Sequence, residues 1–221
     1  MQLPGPTVAY TILVRYGFYT ARRVRRVKLT SLADGITRSS LAVRAAGRAW
    51  EDADDPTQEA LADRDGADDD LDDTAQNARA ALGGRGKNAV KKEPYILIFP
   101  EGAAYYTAAS LGEEEPRYGE LKTRLEEHLD PKDDVRRVAV PALVKGLVEF
   151  KKSVAAVQKA QTGESLAGTR LTVATTAFRK DLESAYGELV KQFGKAAADR
   201  FFPKAAKKKS KKIAASPAPG K

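Results

Sequence analysis

The amino-acid sequence predicts an all-α protein, an elongated helical bundle with coiled-coil-like heptad seams. Two observations carry this. From residue 29 to residue 81, alternating steps of three and four land on Leu29, Leu32, Ile36, Ser39, Val43, Ala46, Trp50, Ala53, Thr57, Ala60, Arg64, Ala67, Leu71, Thr74, Ala78 and Ala81. Only Arg64 breaks a series that is otherwise apolar or small, and a mean step of about 3.5 residues places it on one narrow stripe that needs a partner helix. The same stepping recurs through Ala139, Leu143, Gly146, Phe150, Ser153, Val157 and Ala160, and again through Leu171, Ala174, Phe178, Leu182, Ala185, Leu189 and Phe193.

Taken in order, the first element has two readings. Val8, Tyr10, Ile12, Val14, Tyr16 and Phe18 alternate with period two, which gives a short strand near 8–18. Tyr10, Leu13, Gly17, Thr20, Val24 and Val27 fit the helical step equally well. Residues 29–82 then form a long helical arm. Asp55 can cap a helix opening at Pro56, but the stepping keeps its phase there, so one arm kinked at Pro56 is expected. Gly83, Gly84 and Gly86 end it.

Residues 95–99 (Tyr-Ile-Leu-Ile-Phe) are a short strand or a buried connection. Pro116 opens a helix carrying Tyr118, Leu121, Leu125 and Leu129 on one face, and residues 130–133 read as the cap and first turn of the next. Pro141 is expected to bend that helix or delay its start, since an interior proline costs about 3 kcal/mol. Residues 162–165 (Thr-Gly-Glu-Ser) read as a short link that returns the last helix antiparallel. Phe201 and Phe202 should dock on the bundle just before Pro203. The bundle domain is thus expected over 1–203, with a disordered Lys-rich tail over 204–221.

Charge is segregated along the chain. Of the net +8, seven positive charges (Lys204, Lys207, Lys208, Lys209, Lys211, Lys212 and Lys221) lie beyond Phe202 with no acid among them, leaving the body near neutral at +1. Arg15, Arg22, Arg23, Arg25, Arg26 and Lys28 cluster early, whereas residues 51–73 hold twelve acids against Arg64. Opposed fields of this kind favour self-pairing or an oriented partner. Cysteine is absent and no run approaches the roughly 18 apolar residues of a membrane span, so a cytoplasmic protein without membrane contact is expected.

Catalytic chemistry finds little support. His128 is the one histidine, and Leu125 stands where a Glu-x-x-His metal motif needs its Glu. Asp63, Asp65, Asp69 and Asp72 fall on calcium-loop positions, but the first ligand would be Leu61. The Gly-Lys pair at 86–87 lacks the Ser or Thr of a phosphate loop. Ser110, Ser165 and Ser184 have no partner base besides His128.

No catalytic residue, cofactor, metal or small-molecule substrate is therefore expected. The residues expected to meet nucleic acid or an acidic partner are Lys204, Lys207, Lys208, Lys209, Lys211 and Lys212, with Arg22, Arg23, Arg25 and Arg26 as a basic patch. The expected function is a non-catalytic structural or protein-interaction bundle, paired with itself as a homo-oligomer or with a helical partner. The alternative is a nonspecific nucleic-acid binder that uses the tail.

Overall fold

Helix forms almost everywhere the sequence carries apolar pitch, and no strand occurs among the described residues. The computed structural model describes residues 1, 3–5 and 7–204; Lys207, Lys208, Lys209, Lys211 and Lys212 lie outside them. The fold is an all-α helical bundle, built as two compact units: Met1–Trp50 with the chain from Ala167 onward, and Glu51–Leu166. No described helix is long and apolar enough to cross a membrane.

The first unit contains α1 (Tyr10–Arg26), α2 (Thr30–Glu51) and the second part of α7 (Asp134–Phe193). Residues 8–18 are not a strand. Leu13, Gly17, Thr20 and Val24 turn inward together on α1, while Ile12 of the alternating series is 47% exposed. The three-four series has neighbours on which to bury itself, and period two would split it. The core is Leu13, Val24, Ile36, Val43, Phe178, Leu182 and Leu189, closed at one end by Phe201 and Phe202.

Gly17 is required by close approach. A Cβ there would lie 2.1 Å from Ser40 Oγ and 2.7 Å from the Phe178 ring, both on buried side chains. Trp50, expected in the seam, is instead 43% exposed. It sits in the last turn of α2, with its indole edge 3.6 Å from where a Gly168 Cβ would stand, so one side of the ring is covered and the other meets water.

The second unit holds α3 (Asp54–Gly83), the single-turn helices α4 (Tyr95–Ile98) and α5 (Ala104–Thr107), α6 (Glu114–His128) and the first part of α7. The arm expected over 29–82 is interrupted at residues 52–53, ahead of Pro56, and Ala53 is the N-terminal boundary residue of α3 in place of Asp55. Pro56 lies within the first turn of α3, where its missing N–H leaves no helical bond unmade.

Residues 95–99 are likewise no strand. Tyr95, Ile98 and Phe99 are buried at helical spacing beneath Tyr106, whose hydroxyl donates 2.8 Å to the Ile98 carbonyl. A five-residue run bounded by Pro94 and Pro100 has no neighbouring strand to pair with among the described residues. The core here is Leu71, Leu82, Tyr106, Tyr118, Leu121, Leu125, Leu143 and Phe150.

The largest departure is α7, one helix of 60 residues. Asp133 caps it by accepting from the Val135 N–H at 2.9 Å, and its carboxylate also receives the Arg85 guanidinium at 2.7 and 2.5 Å. Pro141 is carried within it. The link expected at 162–165 does not exist, and Thr162 Oγ1 bonds back to the Gln158 carbonyl at 2.7 Å within the helix. The reason is phase: residues 153, 157, 160, 164, 167, 171, 174 and 178 continue the three-four step without a slip. A single Gly163 with no proline near it costs about 1 kcal/mol, too little to break such a series.

Candidate polyanion-binding face

Burial of Leu13, Gly17, Thr20 and Val24 leaves the opposite side of α1 outward. Steps of four, three and four along that side give Arg15, Tyr19, Arg22 and Arg26, all exposed, with part-buried Arg23 beside them. Tyr19 is 47% exposed, so the face combines guanidinium groups with an aromatic ring. Arg25 points to a different partner, the carboxylate of Asp34. Among the described residues Arg15, Arg22, Arg23 and Arg26 make no ion pair.

Residues 194–202, after α7, fold back onto α1. Helix α7 stops at Phe193 because Gly194 takes φ +77°, a conformation open to glycine. The chain then folds into the short helix α8 (Lys195–Ala198) and a 3-10 turn, Asp199–Phe201. Phe202 seats its ring 6.2 Å from that of Tyr16 on α1 and 5.6 Å from that of Tyr186 on α7. Asp199, the acid of this segment, accepts from the Met1 amino group at 2.6 Å, which holds its carboxyl below the usual range.

The fold-back delivers Arg200 to Arg23 and Arg26. The three border an open cleft of about 290 Å³ floored by Val27, Phe193 and Phe201. Phe193 was expected in the core and is 41% exposed, because it is the last residue of α7 and projects past the turn that buries Leu189. Lys204 is exposed two residues after the buried Phe202.

Of the residues singled out from sequence, the structure sets Arg22 and Arg26 on one exposed side of α1, brings Arg23 and Arg26 to the cleft with Arg200, leaves Lys204 exposed after Phe202, and diverts Arg25 to Asp34. Arg200 and Phe193 were missed. No local pattern marks them, since their role depends on the turn at Gly194.

The two units carry opposite charge. The first has 22 Lys and Arg against five Asp and Glu, a formal net of +17, and the second has 16 against 25, a net of −9.

The acidic unit contains a buried polar cluster. Glu114, at the first turn of α6, is 8% exposed, and its Oε2 has no hydrogen-bond partner among the described residues. Burial raises its pKa, the charge of Asp68 on α3 raises it further, and Arg64 partly opposes both. Asp68 is raised as well, by burial and then by Asp72, which itself accepts from the Tyr118 hydroxyl.

A carboxyl whose pKa is raised by folding binds more protons in the native state, so it costs stability as pH rises from the normal carboxylate range through the folded value. Glu114→Gln is expected to raise the thermal midpoint at pH 7–8, by a stability gain of about 1 kcal/mol, and to have little effect near pH 4. Urea unfolding at the two pH values checks this; an equal effect at both would show that the carboxylate charge is not the cause.

The other chemistries do not converge. Residues 61–72, the calcium-loop candidates, lie inside α3. Among the described residues no three His, Asp or Glu side chains are placed to hold a metal. His128 is exposed at the end of α6. A groove of about 860 Å³ between α2 and α7 is lined by small residues such as Gly35, Ala42, Ala174 and Ala177, with charges of both signs at its rim. No family model, curated protein or solved structure matches the chain.

Proposed function

We propose that the protein is a non-catalytic binding module whose basic unit holds a polyanion, nucleic acid first, through the outer face of α1 and the Lys-rich segment that follows Pro203 in sequence. One observation carries the reading: Arg23 and Arg26 of α1 and Arg200, more than 170 residues later in sequence, border one cleft, and Phe202 packs on Tyr16 just before Lys204. Phosphates along a nucleic acid are spaced closely enough to meet several of these cations at once, and release of condensed counterions then drives binding without sequence readout.

The full chain is expected to bind duplex DNA with a steep salt dependence. If six or more phosphates are neutralised, affinity falls by roughly 10³ between 50 and 200 mM salt. Equal retention at both salts would overturn the proposal.

A second reading, self-association, is supported by the charges of +17 and −9 on the two units. It expects a sedimentation coefficient that rises with protein concentration at 50 mM salt and not at 500 mM. Both readings belong to a reducing, cytoplasmic setting, consistent with the lack of cysteine.

A further inference from the structure

Resting on the polyanion reading, we infer that the cleft between Arg23, Arg26 and Arg200 is a subsite for one nucleotide of a single strand, with the phosphates on the guanidinium groups and the base against Phe193. Three features of the cleft combine. Its three arginines make no ion pair among the described residues, and Arg26 and Arg200 are exposed, so guanidinium groups at the cleft are available to take phosphate oxygens in the forked geometry they favour. Its floor is apolar and open: Phe193 is 41% and Val27 39% exposed, in the more basic of the two units. And the Phe193 ring is held in place by Phe201, 5.6 Å away and tilted by 38°, so a face is presented without further ordering.

Charge alone would be served by arginines over any surface. An exposed phenylalanine between them adds what a phosphate does not need and a base does, a flat apolar ring on which to stack. The volume of about 290 Å³ sits at the lower edge of small-ligand pockets, room for one planar ring. Bases inside a duplex already stack on each other and offer no face, so the subsite selects single strands, and it does so without reading which base is present.

The test uses the full chain and three fluorescent probes of equal length: oligothymidylate, the same backbone with abasic sites, and a duplex. Anisotropy titration at 50 mM salt is expected to show oligothymidylate bound about fivefold or more tighter than the abasic strand, the range that loss of one stacked base gives. Phe193→Ala should remove that preference. Phe193→Leu, which keeps the packing on Phe201, should remove most of it, and Arg26→Gln should weaken both strands alike.

Equal binding of oligothymidylate and abasic strand by the unaltered protein overturns the subsite while salt-sensitive binding leaves the polyanion reading standing. Absence of salt-sensitive binding to every probe overturns both. Should Phe193→Ala lose its helical circular dichroism, the unaltered protein and Phe193→Leu decide the question.

Discussion

Phe178→Ala is expected to lower the stability of the basic unit by about 3–5 kcal/mol, the range for emptying a fully buried aromatic site. The ring has no exposed surface and fills the crossing where α1, α2 and α7 meet, close enough to Gly17 that a Cβ there would stand 2.7 Å from it. Collapse into the vacated space is resisted because α1 already touches α2 at that point: the Gly17 backbone lies against Ser40, whose hydroxyl is held 2.7 Å from the Ile36 carbonyl. The opposite error, Gly17→Val, overfills the same crossing and should cost at least 1–3 kcal/mol.

Because the two positions touch, their effects are not independent. Gly17→Ala combined with Phe178→Leu should lose less than the two single changes would together. Thermal unfolding followed by circular dichroism reads this as a drop on the order of 10 °C or more for Phe178→Ala. A midpoint within two degrees of the unaltered protein would mean that the packing at this crossing is wrong.

The legibility of the fold follows from what each signal measures. Three-four stepping reports which residues share a helix face, and it placed Ile36, Leu71, Phe150, Phe178 and Leu182 in cores where all five are buried. It does not report where a helix stops. At 162–165 turn-like composition argued for a stop that unbroken phase argued against, and phase prevailed because Gly163 had no proline or second glycine beside it to hold the chain open. At 52–53 the reverse holds: the stepping runs on while the backbone breaks, since the apolar series alone is weak where its members are Trp50 and Ala53, neither of them buried.

The candidate face was half visible for a related reason. Arg22, Arg23 and Arg26 are adjacent in sequence and stand out as a charge run, whereas Arg200 and Phe193 join them only after Gly194 reverses the chain. The diversion of Arg25 to Asp34 depends on the reversal between α1 and α2, where Lys28 adopts φ +61°.

That diversion makes a discriminating variant set. Arg22→Gln, Arg23→Gln and Arg26→Gln together are expected to reduce the slope of log affinity against log salt by between two and three on duplex DNA, about 0.9 for each phosphate contact removed. Ending the chain after Lys204, which removes Lys207, Lys208, Lys209, Lys211, Lys212 and Lys221, should reduce it by more, since more cations go, and the two changes combined should leave binding near the detection limit. Arg25→Gln is expected to leave the slope unchanged, because its guanidinium already faces the Asp34 carboxylate and displaces no counterion from DNA. Its charge is the same as its neighbours' and only its placement differs. A response to Arg25→Gln as large as that to Arg26→Gln would show that net charge, and not the outward face of α1, governs binding. Arg22, Arg23 and Arg26 lie at exposed or part-buried positions without ion-pair partners among the described residues, so the effect of their substitution on stability should stay within about 0.5 kcal/mol, and a loss of affinity can be read as a loss of contact.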